Sequence, residues 1–198
     1  MIAGSAKGRI LRPPRTSATR PITDRAKESL FAILAPELRG ARFLDLFAGT
    51  GSVGIEALSR GCAHTTFVER SRQALAGIRH NLEITGLAAR ADVVARDVFG
   101  YLRDAPAPAE LIFVAPPQWL GLWPRTVALL DGEPGWLADG ALVVVERATR
   151  SGALEWPPGY QPGKSRRYGE ATFWYGWYAG GMVTCEVPGT VLRPAHEE

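Results

Sequence analysis

Phe43-Leu44-Asp45-Leu46-Phe47-Ala48-Gly49-Thr50-Gly51-Ser52-Val53-Gly54 runs from an apolar strand through a glycine-rich turn into a helix. Glycines at 49 and 51 let the backbone fold tightly and approach a ligand that side chains there would push away. The stretch reads as a site for a nucleoside-bearing cofactor. The spacing of Gly49, Gly51 and Gly54 also fits a dinucleotide fingerprint, so the loop alone leaves a nicotinamide enzyme open. Asp45 separates the two readings. Dinucleotide folds usually place a small apolar residue there, before a loop that cradles pyrophosphate. A carboxylate repels phosphate and suits a cation, and S-adenosylmethionine carries an ammonium and a sulfonium but no phosphate.

Working outward, short apolar runs at 43–47, 65–68, 92–95, 111–114 and 141–145 alternate with helical patterns at 53–59, 72–84, 98–103 and 120–130. Strand runs of this kind, apolar on both faces and separated by helices, predict a parallel sheet in a doubly wound α/β domain. A further helix is expected from Asp24 to about Ala35, with Thr23 as N-cap and Pro36 as its stop. At the other end, segments 164–168 and 171–178 meet around Gly169 and read as a hairpin. Its rings Phe173, Trp174, Tyr175, Trp177 and Tyr178 are taken as packing residues. The division expected is a basic extension over 1–22, one catalytic domain over 23–178 and a tail over 179–198.

A chain of 198 residues suits one domain with a sizeable core. Its 23 Lys and Arg exceed its 20 Asp and Glu by only three, but the excess is concentrated before residue 43. Arg9, Arg12, Arg15 and Arg20 contribute to it, with Lys7. That segment is either a solvated basic arm or a nucleic-acid contact. Cys62 and Cys185 lack the close spacing of a metal site or redox pair, and no metal is expected. Reducing cytoplasm fits, and no membrane partner is expected because no long apolar run is present.

These landmarks resemble the RsmD-type methyltransferases, which modify the guanine N2 amine of bacterial 16S ribosomal RNA. The matching residues are Ile2-Ala3-Gly4, Lys7-Gly8-Arg9, the run Arg20-Pro21-Ile22-Thr23-Asp24-Arg25 and the extended motif over 45–61. Val68-Glu69-Arg70, Asn81-Leu82, Asp97-Val98, the run over 113–117, Gly135-Trp136-Leu137 and Val144-Val145-Glu146 follow in order. The resemblance implies a Rossmann-like class I sheet, seven-stranded and mostly parallel, with a C-terminal antiparallel hairpin and helices on both faces. It further implies S-adenosylmethionine as cofactor and, as partner, 16S rRNA in the small ribosomal subunit or its assembly intermediate, with a target of the guanine-966 type. Under it, Asp45, Phe47, Gly49 and Gly51 wrap the methionine end of the cofactor. Glu69, followed by Arg70, takes the ribose, and Asp97 with Val98 forms the adenine pocket. Thr23 belongs to a segment that closes over the cofactor. Asp97 and Thr23 are equally well read as helix N-caps.

Amine methylation in this class uses an Asp- or Asn-Pro-Pro-aromatic tetrad at the end of the fourth strand. This chain has Ala115-Pro116-Pro117-Gln118, with Trp119 one place late. The acidic acceptor is gone, while the Pro116 carbonyl and a stacking Trp119 remain as candidates. A hydrogen bond lost to a charged acceptor costs about 1.5 to 3 kcal/mol, a roughly ten- to hundredfold loss of rate if felt only in the transition state. Arg12, Arg15 and Arg20, with Lys7 and Arg9 before them and Lys164, Arg166 and Arg167 ahead of the hairpin, form the expected phosphate-contacting surface. Three alternatives stay open: a silent RNA-binding module that keeps the cofactor pocket, a methyltransferase of altered base preference, and the nicotinamide oxidoreductase.

Overall fold

The computed structural model describes residues 1–13, 22–104, 106–118, 120–131 and 135–180. Arg15, Arg20, Trp119, Cys185 and the tail beyond Gly180 lie outside them. The parallel part of the sheet comprises β1 (Arg42–Leu46), β2 (His64–Glu69), β3 (Ala91–Ala95), β4 (Ala109–Val114) and β5 (Leu137–Ala148), in the order β3-β2-β1-β4-β5. Beside β5 lies β8 (Ala171–Tyr178), antiparallel to it, with Val144 opposite Tyr175 and Glu146 opposite Phe173. A nicotinamide-type sheet continues in parallel past this point. The antiparallel strand therefore removes the oxidoreductase fold, and the class I methyltransferase topology stands.

The edge beyond β8 carries the one departure from seven strands. It is made of two short pieces, β6 (Tyr160–Pro162) and β7 (Arg166–Tyr168), each antiparallel to a different half of β8. Gly163 bridges them by donating to the Tyr175 carbonyl at 2.8 Å. Among the described residues the sheet thus has eight strands in seven positions.

Among the described residues, five α-helices cover the faces. On one side are α1 (Asp24–Leu38), α2 (Ser52–Ser59) and α3 (Arg72–Thr85); on the other are α4 (Val98–Tyr101) and α5 (Trp123–Leu130). Period-two alternation divides the strands between them. Phe43, Leu111, Phe113, Leu142 and Val144 pack under α1, whereas Leu44, Ile112, Val114, Val143 and Val145 pack under α4 and α5.

Several boundaries differ from expectation for identifiable reasons. Pro36 sits within α1 rather than ending it, because Leu38 is buried in the same core as Leu34 and holds the last turn despite the missing N–H. The long β5 continues through polar Glu146 and Arg147, which pair with β8 and so remain strand. After β4, helix begins only at Trp123, and ahead of β4, α4 closes after a single turn.

Residues 1–9 are docked, where composition alone predicts a loose arm. The buried Glu56 carboxylate of α2 accepts from the Ile2 and Ala3 amides at 3.0 and 2.9 Å and from Arg60 Nε at 2.8 Å. Ala6 donates to Ser59 Oγ at 2.9 Å, and a Cβ on Gly4 would stand 1.8 Å from the Ser59 carbonyl oxygen. This packing explains why the chain carries Ile2-Ala3-Gly4. Cys62 is buried and donates to the Ala41 carbonyl; burial pushes its thiol up to about 11, so it stays protonated and inert.

Candidate active site

A cleft of about 1800 Å³ opens at the C-terminal ends of β1, β2, β4 and β5. Ligands of open α/β sheets bind at this end of the strands. The volume exceeds the roughly 300–1,000 Å³ of a small-molecule pocket, leaving room for part of a second, larger reactant.

The loop after β1 forms the near wall. Phe47 has φ of 62°, the only non-glycine residue in the left-handed region among the described residues, and its ring meets Phe99 edge-on at 6.3 Å. Such strain collects at ligand sites. Gly49 also has positive φ, and a Cβ built on it would meet only the Phe47 carbonyl oxygen at 3.9 Å, so its ligand side is open. Gly51 lies under Ile78 and Phe67 and turns the chain into α2 without lining the cleft. Asn81 ties this loop to the N-terminal segment, donating to the Thr50 carbonyl and accepting from the Arg12 amide at 2.7 Å.

The floor is acidic. Asp45 is 2% exposed and accepts from the Gly54 amide in the first turn of α2 at 3.0 Å. A side chain at 54 would place Cβ 2.4 Å from the Phe67 ring and 2.9 Å from the Asp45 carboxylate, so the third glycine of the motif provides space for that acid. Burial holds the Asp45 carboxyl well above the usual range, the Gly54 hydrogen bond opposes this, and Glu69 and Glu146 add repulsion. Glu69, at the end of β2, accepts from Gly49, Arg70 and Ser71 amides at 2.9, 2.9 and 2.8 Å. Its carboxylate has about four lone-pair positions, so one is left for a ligand.

Across the cleft, Asp97 caps α4 by accepting from Phe99 and Gly100, and its second oxygen stands 4.0 Å from Arg70. The N-cap uses one carboxylate oxygen, and the other faces Arg70 at the rim of the cleft. Val98 is buried in the core yet lines the cleft. Phe99, which sequence reasoning missed, also lines it and carries the Arg125 guanidinium 4.2 Å from its ring centroid. Its position two residues after an acidic N-cap was the available signal.

Ala115, Pro116, Pro117 and Gln118 line the cleft from the end of β4, with Ala115 half-buried and Gln118 exposed. The N-terminal end of α1 and the β7–β8 turn also line the cleft. There Thr23 accepts from the Ala26 amide at 3.3 Å, and the Tyr168 hydroxyl bonds Ser29. Of the expected phosphate-binding residues, Arg12 and Arg167 reach the cleft rim, whereas Lys7, Arg9, Lys164 and Arg166 are exposed outside it. Glu146 is the second omission: this half-buried residue lines the cleft at the end of β5, and burial raises its carboxyl to about 7. The signal was one acid at the end of an otherwise apolar strand.

Carboxyls on the floor, arginines at the rim and an open glycine backbone suit a nucleoside with a positively charged tail. S-adenosylmethionine fits that description, and Asp45, the loop to Gly49 and Glu69, with its one free acceptor position, are the residues that could hold it.

Comparison with known proteins agrees. A family profile described as Conserved hypothetical protein 95 matches residues 1–177. The chain is 37% identical over 173 residues to Ribosomal RNA small subunit methyltransferase D of Escherichia coli K12, covering 87% of this chain and 86% of that protein. The solved structure of yhhF from Escherichia coli matches with a TM-score of 0.82 at 35% identity, over 91% of this chain and 97% of the other. An RNA methyltransferase of Salinibacter ruber, in complex with S-adenosyl-L-homocysteine, shares the fold at a TM-score of 0.60 and 15% identity, over 88% and 100% of the two chains.

Proposed function

The chain belongs to the Conserved hypothetical protein 95 family, the RsmD-type methyltransferases, and from that membership we propose that it methylates the exocyclic N2 amine of a guanine in 16S rRNA, at the guanine-966 type site. It is an S-adenosylmethionine-dependent rRNA methyltransferase; the base, the atom and the small-subunit substrate are the proposed part. The observation that carries this reading is the cleft with its acidic floor, arginine rim and room beyond the cofactor. When bound, S-adenosylmethionine supplies an electrophilic methyl group on its sulfonium.

The protein contributes orientation and exclusion of water. Glu69 and the Phe47–Gly49 backbone fix the nucleoside, and Val98 and Phe99 give its base an apolar wall. The two prolines stiffen the wall against which the target base is presented, and the guanine leaves its stack to reach it. Arg12 and Arg167 hold the phosphates around it. The work takes place in the cytoplasm, where the small subunit is assembled.

Ala115 favours one second reading, a module that binds RNA and cofactor without transfer. Incubation with methyl-labelled S-adenosylmethionine and small subunits lacking the modification, beside naked rRNA, decides between them. Label on a guanine N2 is the expected result; cofactor binding with no transfer to either RNA would overturn it. Label on another base would move the specificity.

A further inference from the structure

Ala115 removes the acid that this class places at the end of the fourth strand, and the sheet offers a replacement one strand over. Val114 and Val145 are register partners in the parallel pair β4–β5, so Ala115 and Glu146 are the next positions on adjacent strands. They also share a face. Leu111, Phe113, Leu142 and Val144 pack in the cluster under α1, and Ala115 packs against that same cluster, two residues beyond Phe113 as Glu146 is beyond Val144. Both line the cleft. Glu146 has no hydrogen-bond or ion-pair partner among the described residues, although nearly every other acid of the site is engaged. A half-buried carboxyl without a partner is costly unless a ligand completes it.

We propose that Glu146 is the catalytic acceptor of the target amine, taking over from the neighbouring strand the role left vacant by Ala115. This rests on the methyl transfer to an amine proposed above. As the amine nitrogen forms its bond to the methyl carbon, the carbon–sulfur bond breaks and sulfur keeps the electron pair. The proton shed by nitrogen passes to a Glu146 oxygen and from there to solvent. The charged side chains that share the cleft include Asp45 on β1, Glu69 on β2, Arg25 on α1, and Arg150, Arg167 and Glu170 around the hairpin. A base whose pKa lies near the working pH is the most effective for such a transfer.

The test measures single-turnover transfer to unmodified small subunits at saturating S-adenosylmethionine, from about pH 6 to pH 9, for wild type, Glu146→Gln and Ala115→Asp/Glu146→Gln. Glu146→Gln should lose roughly ten- to hundredfold in rate and flatten the acid limb of the profile, with affinity for S-adenosylhomocysteine unchanged. The added aspartate should restore most of the rate. Infrared difference spectra of the free protein supply a readout independent of turnover: a carboxyl band titrating near neutral pH should be present in wild type and missing from Glu146→Gln. Wild-type rates in Glu146→Gln would overturn the acceptor role while leaving the function standing. A parallel loss of S-adenosylhomocysteine affinity would also overturn it, by making Glu146 a cofactor ligand. Failure of the wild type itself to transfer would end both.

Discussion

At the scale of single residues, the proposed function has Glu69 and Asp45 divide the work of the cofactor site between loop geometry and charge. Three amides converge on Glu69, so Glu69→Ala loses a ligand acceptor and also loosens the Gly49 turn. Its affinity for S-adenosylmethionine should fall at least about tenfold, a cost of about 1.4 kcal/mol or more, with the far-ultraviolet spectrum unchanged. Titration calorimetry checks this, and wild-type affinity would remove Glu69 from the site. Asp45 was legible from its position because an acid inside a glycine-rich motif conflicts with phosphate. Gly51 was read with Gly49 as a turn residue that lets the backbone approach a ligand; the turn is there, but of the two only Gly49 lines the cleft, since spacing reports backbone shape and not which glycine faces it. Glu146 was visible as a landmark but not as part of the site, because its proximity to Ala115 is created by strand pairing across more than 30 positions of sequence.

At the scale of elements, the strand–loop–helix unit is held by close approach at Gly54. A methyl there meets Phe67, Thr65 and Asp45 at 2.4, 2.8 and 2.9 Å, all inside the packed core. Gly54→Ala should destabilise the domain by about 1–3 kcal/mol and weaken cofactor binding at the same time, seen as a lower thermal midpoint and a higher Kd. An unchanged midpoint would mean that α2 is free to shift. Legibility here followed periodicity. The central strands and α3 stood out because their apolar runs are unbroken, whereas β6 is three residues long with Pro162 as its last, too short and too polar to register. The aromatic hairpin was read correctly as packing: Phe173 and Tyr175 are at 0% and 1% exposure, and Gly176 leaves a flat seat for Trp156.

At the scale of the molecule, charge is layered, with carboxyls under the cleft and arginines around its mouth. Glu146 titrates at about 7 when folded against an ordinary value of 4.5. Between those values the folded state binds more protons than the unfolded state, so the buried acid lowers stability as pH rises through that window and adds nothing further above it. Glu146→Gln should therefore be increasingly more stable than wild type from about pH 4.5 to pH 7, by up to roughly 3 kcal/mol. Urea unfolding at pH 5 and pH 8 measures the difference, and equal values at both would place the carboxyl in water. At the mouth, Arg12→Ala with Arg167→Ala should reduce the salt dependence of RNA association by up to roughly 0.7 to 0.9 log unit for each phosphate no longer neutralised. Lys7→Ala with Arg9→Ala should change it less, because the docked N-terminal turn carries these side chains outside the cleft. The net charge of +3 conceals this layering, since composition sums over a surface that the fold divides. The acidic floor has a kinetic meaning as well. It attracts a sulfonium, and a donor that has given up its methyl keeps its ammonium but carries a neutral thioether in place of the second charge. Under the proposed function, the floor would therefore hold the spent donor with less electrostatic attraction than the charged reactant, which favours exchange of one for the other.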